Sequence, residues 1–301
     1  MTRIMERTYS LAYLTVSGCS PAEMTYIAAR TGYDYVSFRL IPMNITGEVV
    51  YTPADAAMMK KTKAALQETG IGVLDLELAR IVEDVEPRSY VPAMETMAQL
   101  GARHVITSAW TKRTDDRNFI VERFAELCDL AEPYDLTVNL EFPTFSRLTD
   151  LQETADIVRA ADRPNGGILI DTLYYHYSGV SLDEIKKLPH EWINFLHICD
   201  TVCDIPADPE GMRHVARDER LYCGEGCIDF HALLDAVPMV PCSIELPHAE
   251  RVKKWGYEEH ARRCLETAKN HFTRKPVATF TDGDASTESL NRRQEKKNNF
   301  R

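Results

Sequence analysis

Short, almost wholly apolar runs recur eight times along this chain, each followed by a stretch bounded by helix start and stop signals. The runs cover residues 9–16, 33–40, 73–81, 104–109, 136–142, 167–171, 193–199 and 242–246. Segments such as Gly167-Ile168-Leu169-Ile170 show no apolar/polar alternation, as expected of parallel strands covered on both faces. Ser20-Pro21 caps and opens the first helix, which ends near Gly32. Thr52-Pro53 opens the second, stopped by Gly70. Further helices are predicted over 90–100, 116–131, 149–161, 181–188, 230–236 and 257–272. Eight strand–helix units in one run predict an α/β fold, a (β/α)8 TIM barrel, rather than an open doubly wound sheet. No G-x-G-x-x-G or G-x-x-x-x-G-K-[ST] follows a strand, so dinucleotide and P-loop chemistry lose their main support.

The length of 301 residues would permit two domains, but the barrel accounts for residues 1–273 as one. Residues 274–301 form a polar tail, expected to be flexible. Its seven basic and four acidic residues give +3, so residues 1–273 carry −14 of a total of −11. So acidic a body is poorly suited to a phosphate backbone or an anionic membrane, and neither nucleic acid nor membrane is expected as a partner. Residues 1–10 hold no apolar h-region and no stretch approaches a membrane span, which predicts a cytoplasmic protein. The eight cysteines then read as reduced thiols. Cys199/Cys203 and Cys223/Cys227 invite a structural-zinc reading, but their spacing is wider than the usual two-residue gap, and incidental thiols are the expectation.

In such a barrel, catalytic residues sit at the carboxyl ends of the strands. Four consecutive apolar runs end in Asn139-Leu140-Glu141, Leu169-Ile170-Asp171, Phe195-Leu196-His197 and Ser243-Ile244-Glu245. Carboxylates are rarely buried unpaired, and four titratable groups at one barrel mouth need a cation or protons to coexist. Three carboxylates and an imidazole suit a single divalent metal, Mn2+ best, with Mg2+, Co2+ or Zn2+ as alternatives. Glu77 ends the third run and Arg39 the second; Glu77 is a candidate substrate contact, and it also reads as a rim ion pair with Arg80.

These residues resemble the xylose isomerase-like TIM barrels, especially the sugar phosphate isomerase/epimerase group that includes ketose 3-epimerases and inosose dehydratases. The segment from Arg220 to Phe230 is similar to that group's R-x-x-x-G-x-G-x-[IV]-[DN] stretch. The resemblance implies one metal held by Glu141, Asp171, His197 and Glu245. It implies that Glu141 and Glu245 also act as acid and base on a small polyhydroxy ketone or ketose, through a metal-bound enediolate. Arg220 is then expected to bind a substrate oxygen. Many members carry a His three residues after the Asp; here Tyr174 stands there, and the nearest imidazole is His176. Tyr174 and His176 are therefore candidate substrate contacts, and His248 a weaker one. The run Tyr174-Tyr175-His176-Tyr177 could wall the pocket. Relatives in this group also imply a homo-oligomer.

A metal-dependent dehydratase of an inosose or a dehydroshikimate-like keto-polyol is the alternative, because elimination begins with the same proton abstraction. Abasic-site endonucleases resemble the barrel too, but the histidines for their additional zinc ions are missing from the first four strand ends. A non-catalytic accessory barrel would be signalled by lost ligands, and none is lost.

Overall fold

The computed structural model describes residues 6–45, 47–112 and 115–273. The tail 274–301, with its expected flexibility, lies outside the described residues. Eight strands form: β1 (Tyr9–Leu11), β2 (Tyr35–Arg39), β3 (Gly72–Ile81), β4 (His104–Ala109), β5 (Thr137–Glu141), β6 (Gly166–Asp171), β7 (Leu196–Ile198) and β8 (Cys242–Ile244). Each pairs in parallel with the next, and β8 closes on β1. The predicted (β/α)8 barrel is the observed fold.

Successive residues of a strand face opposite sides, so i and i+2 share a face. Leu74, Ile106, Leu169 and Phe195 form an apolar cluster of their own, separate from the main core between strands and helices. Two positions on from Leu169 and Phe195 stand Asp171 and His197. The cluster therefore lies one layer deeper than these two polar residues. Asp171 and His197 are register partners, as are Ser108 and Glu141. Glu141 is partnered by Leu169 and His197 by Ser243, so the polar ends step up by two residues from Glu141 to Asp171 and again from His197 to Glu245.

The helices are α1 (Pro21–Thr31), α2 (Ala56–Thr69), α3 (Val91–Gln99), α4 (Arg117–Ala131), α5 (Leu151–Ala161), α6 (Thr172–Tyr177), α7 (Leu182–Ile185), α8 (Pro209–Asp218), α9 (Phe230–Ala236) and α10 (Ala249–Thr273). Ser20 caps α1 as expected, and Glu23 completes a capping box with it; the helix stops at Gly32 with φ 89°. The start of α2 differs from expectation. Asp55, not Thr52, is the cap, because its carboxylate accepts the Met58 N–H at 2.9 Å. The closing helix begins at Ala249 and is broken at Gly256 (φ 75°), eight residues before the predicted start. Helices α6 and α8 were not anticipated. No helix among the described residues is long and apolar enough to cross a membrane.

One expectation about the thiols is corrected. Cys203 and Cys227 are joined in a disulfide, with Cα atoms 5.4 Å apart. Cys199 and Cys223, the other halves of the two spaced pairs, are buried and free. The joining follows from a knot of hydrogen bonds on Asp200. Its carboxylate accepts the backbone N–H groups of Gly224, Gly226 and Ile228 at 2.9, 2.9 and 3.2 Å. The Cys227 N–H reaches the Thr201 carbonyl at 3.1 Å. A Cβ on Gly226 would overlap the Thr201 carbonyl and the Asp200 carboxylate, so only glycine lets the loop lie this close.

Candidate metal centre

The last four strands bring one titratable side chain each to a single point. Glu141 ends β5, Asp171 ends β6, His197 is central in β7, and Glu245 follows β8 by one residue. One ligand atom from each lies within 4.8 Å of the others, and all four residues are buried. His197 Nδ1 stands 3.6 Å from Glu141 Oε1 and 3.4 Å from Glu245 Oε2. Glu141 Oε1 and both ring nitrogens of His197 are buried without a hydrogen-bond partner. Each such orphan costs about 1–3 kcal/mol. Carboxylate oxygens and an imidazole converging at this spacing, with donor atoms left unsatisfied, fit a divalent cation.

Electrostatics pull the four groups apart. Burial pushes the Glu141 carboxyl up to about 7, against the opposing pull of His197. Burial also raises Asp171, against Arg220. Burial tends to lower His197, but Glu245 and Glu141 outweigh it and hold the imidazole well above its usual range. Burial tends to raise Glu245, but His197 and Arg220 outweigh it and hold the carboxyl far below the usual range.

Arg220 is the fixed counter-charge of this cluster. It is 1% exposed. Its guanidinium donates to Asp171 Oδ2 at 2.7 Å and pairs with Glu245 Oε2 at 2.9 Å. It also donates to the carbonyls of Ala216 (2.8 Å) and Glu245 (3.1 Å), and to the Tyr174 hydroxyl at 3.4 Å. The antiparallel bridge between Asp200 and Leu221, and the Arg220 N–H on the Pro247 carbonyl, fix the backbone that aims it.

A cavity of about 340 Å³ is lined by Glu141, His197 and Glu245, with Glu77 and Tyr174 on its wall. The model of the xylose isomerase-like TIM barrel matches residues 26–267.

The chain belongs to the xylose isomerase-like TIM barrel family.

Within that family, an inosose isomerase of Bacillus licheniformis is 30% identical over 183 residues, covering 58% of this chain and 63% of the relative. The corresponding Bacillus subtilis protein is 27% identical over 183 residues, with the same coverage. The match thus spans just under two thirds of these relatives. The crystal structure of the IolI protein with a bound zinc atom superposes with a TM-score of 0.71 at 23% identity, covering 88% of this chain and 98% of that one. D-allulose 3-epimerase from Methylomonas sp., in complex with D-allulose, gives 0.65 at 18% identity over 88% and 97%.

The other site residues expected from sequence divide in this xylose isomerase-like barrel. Glu77 lines the cavity, but its partner is Arg39 at 2.9 Å, not Arg80. Arg80 instead donates to the Met43 carbonyl, since β3 carries the two side chains apart. Tyr174 lines the cavity, and burial holds its phenol well above its usual pKa. His176 and Arg220 do not line it. His176 packs beside the Tyr177 ring at 5.9 Å with its Nε2 buried and unpartnered. His248 lines a neighbouring cavity of about 300 Å³.

The aromatic wall is real but differently built. Trp110, Phe145 and Tyr174 come from beyond three strand ends, with ring centroids 5.8 and 5.9 Å apart. Tyr177 instead hydrogen-bonds Thr201 at 2.9 Å. Asp75 was missed altogether. It is wholly buried on β3, takes the Ser37 hydroxyl, and keeps its other oxygen unpartnered. Burial and then Glu77 push its carboxyl up to about 8. A single Asp inside Val73-Leu74-Asp75-Leu76 carries no spacing signal that marks it in sequence.

Proposed function

We propose that this chain is a divalent-metal-dependent isomerase or epimerase of a small polyhydroxy ketone or ketose. The observation that carries the reading is the convergence of Glu141, Asp171, His197 and Glu245 within 4.8 Å, three of them (Glu141, His197 and Glu245) on the wall of a cavity. The names of the inosose isomerase and D-allulose 3-epimerase relatives support it. Glu141, Asp171, His197 and Glu245 would hold the ion, and a mostly oxygen donor set favours Mn2+. A bound divalent ion supplies Lewis acidity that polarises a ketone oxygen and acidifies the neighbouring C–H.

The chain's own groups then move the proton. Glu245, held ionised by His197 and Arg220, takes it from the α-carbon. Glu141, whose carboxyl lies near neutrality, gives one back. The two carboxyls stand on the non-adjacent strand ends β5 and β8, so they approach a substrate from different directions. Return to the same carbon inverts it; return to the neighbouring carbon moves the carbonyl. Arg220 holds Asp171 and Glu245 in place, and Trp110, Phe145 and Tyr174 give the sugar an apolar face.

A dehydratase outcome is favoured by one observation. The Tyr174 phenol lines the cavity and stays protonated, so it can donate to a departing hydroxyl. The test is solvent exchange. Protein stripped with a chelator and reloaded with Mn2+, Mg2+, Co2+ or Zn2+ is incubated in D2O with inososes and ketoses, and deuterium at the α-carbon is followed by NMR. Exchange without rising enone absorbance supports the isomerase; exchange with it supports the dehydratase. No exchange with any metal, or full exchange in the stripped protein, overturns both.

A further inference from the structure

Helix α8 and the turn after it carry three arginines at i, i+4 and i+7: Arg213, Arg217 and Arg220. Arg213 and Arg217 share one face of α8, whereas Arg220 lies past the helix end at Asp218. Arg220 is consumed by the metal-site carboxylates. Arg213 lies over the Phe145 ring, 5.5 Å from its centroid. Arg217 lines the main cavity and also the neighbouring one, with its side chain open to solvent.

The charges around the cavity are otherwise matched. Arg39 is paired with Glu77 at 2.9 Å. Both oxygens of Glu48 are taken by the backbone N–H groups of Met43 and Asn44. Asp218, beside Arg217 in sequence, faces His214 at 3.5 Å. Among the described residues no carboxylate forms an ion pair or hydrogen bond with Arg217. Partial burial of its stem, and then Arg213, act to lower its pKa against the opposing pull of Tyr174 and Asp218, with Arg39 adding to the lowering, so a second cation stands close beside it. Like charges one helical turn apart repel, and an anion between them relieves the repulsion. A neutral polyol has no use for such a pair at the entrance, whereas an anionic one is both attracted and oriented by it.

We propose that the cavity takes a polyhydroxy keto substrate bearing an anionic group, a carboxylate or a phosphate, held at the mouth by Arg217, with the charge of Arg213 beside it reinforcing the attraction. This deepens the isomerase reading and rests on it. Arg217 lines both cavities, so the anionic end can extend toward the second one while the keto end faces Glu141 and Glu245.

Calorimetric titration of the Mn2+-loaded full chain with two matched pairs tests it: D-ribulose against D-ribulose 5-phosphate, and L-sorbose against 5-keto-D-gluconate. Charge-assisted hydrogen bonds predict at least about tenfold tighter binding of the anionic member. Preference in the first pair alone identifies phosphate, and in the second alone carboxylate. Arg217→Gln should bring the members within about twofold, and Arg217→Lys should keep part of the difference. Should Arg217→Gln not fold, raising KCl from about 50 to 300 mM with wild-type protein should weaken only the anionic member. Equal binding within both pairs, binding of none of the four compounds, a preference retained in Arg217→Gln, or a salt-independent preference overturns the proposal. Anion-selective binding with no α-proton exchange leaves the anion site standing and removes the isomerase; exchange of neutral ketoses without anion preference does the reverse.

Discussion

Replacing Arg220 by Met should unbalance the buried charge of the barrel mouth, and added metal should restore much of the loss. Glu141, Asp171 and Glu245 bring three formal negative charges, Arg220 brings one positive, and Glu77 is cancelled by Arg39. Asp75, pushed up to about 8, is mostly protonated at pH 7. In the protonation state that binds metal, with His197 neutral and the three carboxyls ionised, the cluster is two positive charges short, which a divalent ion would supply; without the ion, protons on His197 and Glu141 take up that deficit. Removing a partner from a buried pair typically costs about 3–5 kcal/mol. Arg220 is buried and bridges two carboxylates at 2.7 and 2.9 Å, so the full range applies to chelator-treated protein. An unfolding entropy of about 2.1 cal/mol/K per residue over roughly 265 described residues gives ~0.56 kcal/mol/K, so Tm should fall by about 5–9 °C. Saturating Mn2+ then meets a site with one more uncompensated charge. It should raise the Tm of Arg220→Met by several degrees more than that of the wild type. Differential scanning calorimetry with and without metal measures both quantities. A drop of under about 2 °C in chelator-treated protein, or an equal drop with and without metal, would show that Arg220 acts through packing rather than charge.

Glu141→Gln should weaken metal binding by about 100-fold or more while leaving the fold intact, as read by competition with a chromophoric chelator; an affinity within threefold of wild type would remove Glu141 from the ligand set. His260 sets a pH dependence. It is fully buried between the Tyr222 hydroxyl (3.1 Å) and the Leu246 carbonyl (2.9 Å), and burial lowers its pKa to about 4. Between the unfolded value of about 6.5 and about 4, the unfolded chain takes a proton that the native one refuses, so stability falls with pH, by at most about 3 kcal/mol. A His260→Gln variant should lose less Tm than wild type between pH 7.5 and 5; equal losses would contradict this. Thiol titration in denaturant should find six reactive cysteines before reduction and eight after, and eight before reduction would exclude the Cys203–Cys227 bond.

The barrel was legible because its signal is redundant. Runs buried on both faces, such as 168–170, can be read without knowing their neighbours, and eight of them leave few topologies. What failed was local and depended on competition between nearby groups. Thr52-Pro53 and Asp55 are both plausible starts for α2, and only geometry shows that the Asp55 carboxylate reaches the Met58 N–H. Helix α8 has just two buried residues, Val215 and Ala216, and with Met212 only three apolar side chains at i, i+3 and i+4, a helical spacing that spans too short and polar a segment to stand out from a loop. The Cys203–Cys227 bond depends on Asp200 gathering the 224–228 loop, a contact across more than 20 positions that Cys spacing alone does not encode.

At the site, the legible part was the part tied to strand register. A polar residue ending an apolar parallel strand has one place to go, and four in succession meet. Residues arriving from loops and helices had no such constraint. Tyr174 is reached from the sequence only through the resemblance, as the residue three after Asp171; the structure sets it on α6, which Asp171 caps by accepting the Leu173 N–H at 2.8 Å. Trp110 and Phe145 lie beyond β4 and β5, where sequence does not fix direction. Arg220 was found by motif but expected to touch substrate, because a sequence shows that an arginine is near a site and not which way it turns. The same limit hid Arg217. Arg213 and Arg217 share a face of α8 and Arg220 follows just beyond it, yet the fold neutralises Arg220 and, among the described residues, gives the other two no carboxylate ion pair or hydrogen bond. A charge the protein satisfies internally stabilises the fold, whereas a clustered charge left open at a cavity mouth is available to a ligand. That difference makes Arg220 a test of stability and Arg217 a test of specificity.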